Sequence, residues 1–343
     1  MNEEIKLTTL TKGGGCGCKI PPATLKEILK GQLVQNRFGL LVGNATGDDA
    51  AIYDLGNGEC LISTTDFFTP IVDDPYDFGR IAAANSISDV YAMGGRPIMA
   101  LSILAWPTDK IPSEIASEVI RGASSVCEQV GIAIAGGHSI ENPEPVFGLM
   151  VNGLSRTEYI KRNNSAQPGD VLFLTKPLGS GILATAMKRN LLSVEQINEL
   201  VDELVKLNRI GQQLGQITWV HAMTDITGFG LIGHLLEMTD AADLSAEINY
   251  EKVPLMNSVK DLAAKYIYAD NTMRNWKHYN ERVSGISGES LLTLCDPQTN
   301  GGLLVAVGVD AIETVEELFK SEGQFYAQIG EIRLKEEHQI IVS

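Results

Sequence analysis

Seven consecutive residues near the N-terminus, Gly13-Gly14-Gly15-Cys16-Gly17-Cys18-Lys19, set two thiols and a lysine on a backbone otherwise bare of side chains. An ammonium beside a thiol favours the thiolate, the nucleophilic form. A lysine can also hold a transferring phosphate as a point charge. Two thiols one residue apart cannot complete a tetrahedral zinc site, and no C-x-x-C partner occurs elsewhere in the chain. A tail with incidental cysteines would read the same way, so the segment needs company before it means chemistry.

That company is a set of aspartates. Asp48 and Asp49 stand just before a β-like run, and Asp66 ends the next one. Asp225 precedes the glycine turn Thr227-Gly228-Phe229-Gly230. Aspartates in such places also serve as turn and cap residues. Asp89 differs. It lies in an apolar helical pattern beside Ile87, Val90 and Tyr91, four residues after Asn85, so the two polar groups share a face. A buried carboxylate there is costly unless something cationic meets it. Magnesium wants oxygen ligands, often one or two carboxylates together with substrate phosphates. Aspartates converging from several strand ends would supply them.

Three glycine-rich stretches are candidate phosphate or ribose contacts: Ala135-Gly136-Gly137-His138-Ser139, Thr175–Gly181 and Asp296–Gly302. Each also reads as a plain turn. No GxxxxGK[ST] occurs, which excludes a P-loop, and no GxGxxG opens a helix after a strand. The five histidines form no H-x-x-x-H pair, and His234 sits in an apolar helix as a core residue.

The elements that must position these groups follow from pattern. Residues 1–20 read as a flexible glycine-rich arm and 22–33 as a helix. Strands over 50–55 and 60–65 flank the hairpin signal Gly56-Asn57-Gly58. A helix over 77–93 ends at Gly94-Gly95. Strands over 97–105, 132–135 and 146–154 and a helix over 112–130 complete an α+β unit spanning 21–162, joined to a second one, 163–343, through the polar stretch 163–169. The second unit reads as strand 170–175, helices 181–189, 193–214 and 228–238, strand 245–249, helix 256–266, strand 303–307, helix 311–322 and strand 327–332.

With 343 residues, two domains are the default. A formal net charge of −16 disfavours nucleic acid and anionic membranes as partners, and means that a polyanionic substrate needs cations held on carboxylates. No signal-like or membrane-spanning run is seen, and five sparse cysteines suit a reducing cytoplasm.

Taken in order, the segments Gly15–Ile20, Asp48–Ala51, Ser63–Phe68, Asp77–Ala82, Ser88-Asp89, Tyr91–Gly95, Gly136–Ser139, Leu174–Gly179, Met223–Asp225, Thr227–Gly230 and Asp296–Thr299 resemble the selenophosphate synthetases (selenide, water dikinases), of the aminoimidazole ribonucleotide synthetase superfamily. They span nearly the whole chain. The resemblance implies a two-domain fold of that superfamily, with an N-terminal ATP-binding domain. It also implies synthesis of selenophosphate from ATP, selenide and water, with AMP and orthophosphate released. Cys16 matches the catalytic position and Lys19 the essential lysine. Asp49, Asp89 and Asp225 match the magnesium-binding aspartates. Thr46, Gly47, Asp48, Asp66, Gly137, His138 and Ser139 match ATP-contacting positions, Lys19 and Asp89 serving the nucleotide as well. It further implies a homodimer through the N-terminal domains and leaves room for a selenium-delivery protein. Gly47 stands where some members carry arginine, and Asn300 where serine is common. Other ATP-using enzymes of the superfamily would share the aspartates without needing Cys16 and Lys19. A thiol-based selenium or metal carrier would use Cys16 and Cys18 without phosphoryl transfer.

Overall fold

The computed structural model describes residues 6–11, 13–20, 24, 27, 28, 30, 38–43 and 47–343. The helix expected over 22–33 lies almost wholly outside them, and so does Thr46.

The chain builds two sheets in sequence. The first has strands β1 (Leu40–Val42), β2 (Ala51–Asp54), β3 (Glu59–Phe68), β4 (Arg96–Trp106), β5 (Ile134–Glu141) and β6 (Val146–Arg156), ordered β1-β2-β3-β6-β4-β5. Only β4 and β5 run parallel. The second has β7 (Val171–Leu174), β8 (Val220–Asp225), β9 (Ser245–Ile248), β10 (Val283–Ser284), β11 (Leu303–Val307), β12 (Ala327–Arg333) and β13 (Ile340–Val342), ordered β10-β13-β9-β12-β7-β11-β8. The helices are α1 (Pro75–Ala92), α2 (Ser113–Gln129), α3 (Ser180–Lys188), α4 (Val194–Leu204), α5 (Ile210–Gly215), α6 (Gly230–Ala242), α7 (Val259–Ala264), α8 (Asp270–Tyr279), α9 (Gly288–Leu294) and α10 (Ile312–Ser321).

Helix α1 is the spine. Asp74 caps it by accepting the Asp77 N–H at 2.8 Å, Pro75 opens it, and Gly94 at φ +77° turns the chain away after it. Every residue from Ile81 to Ala92 is buried, polar ones included, so the helix is enclosed all round rather than on one stripe. One side packs on β3 and β6, where Ser86 Oγ donates to the Asp66 carbonyl and accepts the Leu149 N–H. Toward the second sheet, Ser88 meets Asp225 and Asn208. Helix α2 lies so close to α1 that a Cβ on Gly122 would stand 1.9 Å from the Tyr76 carbonyl oxygen.

Four expectations are corrected. The helix expected over 193–214 breaks into α4 and α5. The polar groups of the break are met from elsewhere: Asn300 Nδ2 donates to the Leu204 and Lys206 carbonyls, and Lys176 Nζ donates to Lys206 and Asn300 carbonyls at 2.8 Å each. Strand β5 does not stop at Ala135. It continues through Gly136-Gly137-His138-Ser139, which therefore form an exposed edge strand rather than a turn. Gly137 is needed there, because a Cβ would come 2.1 Å from the Ser102 carbonyl oxygen on β4. The described part of the arm is docked rather than loose: Leu7, Thr8, Thr11 and Cys16 are buried, and the Gly15 N–H donates to the Thr69 carbonyl at 2.9 Å. Helices α8, polar-rich, and α9, a short helix carrying Leu291, Leu292 and Leu294, stand where no helix is expected.

Candidate active site

The arm brings Cys16 to the buried end of α1. Residues Gly15–Cys18 form one tight helical turn, which Gly15 enters at φ +56°. A Cβ on Gly15 would strike Thr299 Oγ1 at 2.3 Å, so glycine lets the turn seat against the 296–302 loop. The Cys16 N–H donates to Thr299 Oγ1 at 2.9 Å, and Cys16 Sγ donates to Asn85 Oδ1 at 3.3 Å. Asn85 Oδ1 also accepts the Asn300 N–H at 2.8 Å, while its Nδ2 donates to Asp66 Oδ2 at 2.5 Å. One amide thus ties the thiol, the sheet of the first half and a loop of the second half. The Asn85–Asp89 spacing pointed at this face of α1. Thr299 gave no such signal, since its stretch read as a phosphate turn.

Lys19 emerges from the same turn and pairs with Asp66 at 3.5 Å. Burial alone would lower its pKa. The interaction with Asp66 above all, and then with Cys16, Asp89 and Asp225, outweighs it and holds the ammonium well above the usual lysine range. A permanently cationic lysine between a thiol and several carboxylates is the electrostatic signature of the site. Cys60, Cys127 and Cys295 lack it: burial pushes Cys127 up to about 11 and raises Cys60 and Cys295 as well.

Three aspartates from different elements face each other. Asp49 precedes β2, Asp89 lies in α1, and Asp225 ends β8. Asp49 Oδ1 accepts from Thr224 Oγ1 at 2.9 Å, Asp89 accepts from Thr64 Oγ1, and Asp225 Oδ2 accepts from Ser88 Oγ at 2.5 Å. All three have raised pKa values. Burial is the first cause in each. For Asp49 and Asp89 the charge of Asp225 comes next; for Asp225, Ser88, His234 and Lys19 pull the other way. Asp49 Oδ2 is buried with no hydrogen-bond partner. A polar atom left bare among like charges is what a cation would satisfy. Among the described residues, no three His, Cys, Asp or Glu side chains form a closed cage for a metal. The donor set suits a hard cation that takes part of its shell from a phosphate.

The remaining candidates divide. Gly47 has φ +69°, and its carbonyl accepts from Asn163 Nδ2 at 3.0 Å; Asp48 Oδ1 accepts the Asn163 N–H at 2.8 Å. Gly137, His138 and Ser139 lie on β5, which pairs with β4 at the far edge of the first sheet from β1. The glycine stretches 175–181 and 296–302 are not phosphate cradles, because they satisfy each other. Asp296 Oδ2 accepts the Gly181 and Ile182 N–H groups, and Gln298 Oε1 accepts those of Gly179 and Ser180. The start of α3 is filled from within by a carboxylate whose pKa burial pushes up to about 7. His234 is a core residue, its Nε2 accepting the Thr227 N–H at 3.1 Å.

Comparisons with known proteins agree with this architecture. Residues 47–155 match the N-terminal domain of AIR synthase related proteins, and residues 167–343 match their C-terminal domain. The chain is 48% identical to the selenide, water dikinase of Haemophilus influenzae (strain ATCC 51907 / DSM 11121 / KW20 / Rd), over 100% of this chain and 99% of that one. It is 49% identical to that of Yersinia pseudotuberculosis serotype I (strain IP32953), over 98% and 97%. Among solved structures, thiamine-monophosphate kinase from Stenotrophomonas maltophilia K279a shares the fold at a TM-score of 0.66 and 19% identity, over 93% of this chain and 95% of that one. By domain content, by full-length similarity and by fold, the chain belongs to the AIR synthase related proteins and, within them, to the selenide, water dikinase family.

Proposed function

We propose that the chain makes selenophosphate from ATP, selenide and water, releasing AMP and orthophosphate. The observation that carries this reading is Lys19, held cationic between the Cys16 thiol and the carboxylates of Asp66, Asp89 and Asp225. The nucleotide-using part of the site could belong to many kinases of this fold. The thiol beside the lysine is what selenium chemistry adds.

Asp49, Asp89 and Asp225 would hold magnesium, which would offset triphosphate charge when bound with ATP. Lys19 supplies a positive point charge for the transferring phosphoryl group, and Asp66 fixes where that charge sits. The docked arm covers this corner and limits water during the first transfer. Cys16, oriented by Asn85 and Thr299, faces the same corner as the site for selenium. Gly47 and Asp48 contact the nucleotide from beside Asp49, and Thr46, outside the described residues, is assigned to it by the resemblance alone. The exposed β5 edge is where a second copy of the chain would pair, bringing Gly137, His138 and Ser139 to the partner's nucleotide. In this reading residues 1–20 are the catalytic arm, 21–162 bind ATP and dimerise, and 163–343 close the site from the other side. Selenide arrives alone or from a delivery protein. Reduced selenium and reduced thiols place the reaction in the cytoplasm. No helix among the described residues is long and apolar enough to cross a membrane.

Phosphorus NMR of ATP with selenide and magnesium tests the reading. A selenophosphate resonance with AMP is expected. Intact ATP, or ADP as the end product, would refute it. Cys16→Ser and Lys19→Ala should each abolish selenophosphate formation, and full activity in either variant removes that residue from the mechanism.

A further inference from the structure

A cavity of about 300 Å³ lies behind the catalytic turn, bounded by the arm, α3 and the start of α8. Its wall toward Cys16 is made of Gly13, Gly14 and Gly17 together with Thr299, the residue that accepts the Cys16 N–H. Among the described residues that line it, neither Lys19 nor any of Asp49, Asp66, Asp89 and Asp225 is found. Cys16 itself has no exposed surface, so a reagent must pass its neighbours to reach it.

We infer that this cavity is the route and holding place for the selenium substrate, a small anion carrying reduced selenium; the inference rests on the selenophosphate reading above. Three features favour it. First, the partition toward the thiol is glycine: a Cβ on Gly17 would meet nothing nearer than Pro297 Cγ at 4.0 Å, so the cavity has room right up to the turn. Second, Lys188 and Arg189 stand on the opposite wall, at the end of α3, with Lys188 Nζ also donating to the Thr11 carbonyl at 2.7 Å; against them the described lining sets one carboxylate, Asp270. In a chain of formal net charge −16, two adjacent cations facing one cavity are a local means of drawing in an anion. Third, the volume falls at the lower end of the range for small-molecule sites, about 300–1,000 Å³. It would admit bare hydrogen selenide with water, or selenium borne on a small anionic thiol, from which a second thiol would release selenide as the two thiols form a disulfide. A selenium route apart from the nucleotide groups keeps the selenium anion clear of the cation-binding carboxylates, which would repel it.

Steady-state kinetics of the full-length protein test this, with phosphorus NMR as readout. Ala184→Trp fills the cavity from the wall of α3, and Arg189→Glu reverses charge at its rim without touching the thiol, the lysine or the aspartates. Each should raise the KM for selenide at least tenfold and leave the KM for ATP within twofold. The unreactive anionic thioether S-methylglutathione then separates the two sources: inhibition competitive with selenide and lost in Ala184→Trp assigns the cavity to a thiol-borne donor, and no inhibition assigns it to the bare anion. An unchanged KM for selenide in both variants overturns the inference, and so does an equal rise in the KM for ATP. If the unmodified protein makes no selenophosphate at all, the functional reading has failed and this inference falls with it.

Discussion

Replacing Asp49 with asparagine separates the electrostatic cost of the site from its use. Asp49 Oδ2 is buried without a partner, and burial together with Asp225 and Asp89 raises its pKa well above the usual aspartate range. Asparagine keeps the Oδ1 that accepts from Thr224 and puts a neutral amide donor toward the other two carboxylates. A buried polar atom without a partner costs about 1–3 kcal/mol, so Asp49→Asn should stabilise the free protein by about that amount. The sign with pH follows from linkage. A carboxylate whose folded pKa is raised adds stability below about pH 4, and that contribution is lost as pH rises toward the folded value. The advantage of the variant should therefore be near zero in acid and grow toward neutrality. Magnesium and ATP reverse the ranking. A ligand at a hundred times its Kd stabilises the protein that binds it by about 2.7 kcal/mol, and the variant should forfeit most of that shift. Urea unfolding at several pH values, with and without magnesium and ATP, measures both effects. A destabilised free variant, or one that keeps the full ligand shift, would refute the reasoning.

Lys176 gives a pH dependence of opposite sign. Burial lowers its pKa from 10.5 to about 7, so its stability contribution rises as pH increases through that window; Lys176→Met should flatten the slope in urea unfolding between pH 7 and 10 and cost about 1–3 kcal/mol at neutrality by taking the lysine donor from the Asn300 carbonyl, while Asn300 Nδ2 still meets that of Lys206. Gly228→Ala places a Cβ 2.8 Å from the Cys16 carbonyl oxygen and 3.1 Å from Lys19 Cδ. It should lower kcat for selenophosphate at least tenfold, with a melting temperature close to the parent's, because the arm can lift away while the body stays folded.

The pattern of the sequence was most informative where one physical requirement dominated. The apolar face of 77–93 and the glycines after it marked α1 within two residues at each end. Asp89 stood out because an apolar helix rarely tolerates a carboxylate. Glycines misled where their reason was tertiary. Gly137 exists to let β5 approach β4, and Gly181 leaves room for Asp296, whose oxygen a Cβ there would meet at 2.6 Å. Neither reason leaves a local trace. The break between α4 and α5 was equally hidden, since Asn300 and Lys176, which satisfy it, lie far away in sequence. The arm read as loose because glycine content reports backbone freedom in the unfolded chain. It carries no information about the 296–302 loop that receives the turn.

The hydrogen bond between Cys16 and Thr299 joins positions 283 residues apart. At synthesis rates of about 5–20 residues per second, the ribosome makes the thiol roughly 15–60 s before it makes the residue that orients it. The amide of Asn85 likewise waits for Asn300. A nascent or truncated chain can therefore fold its first sheet and still lack an ordered thiol. Completion of the second half acts as a check on assembly: the thiol is set in place only after nearly the whole polypeptide has been made and docked.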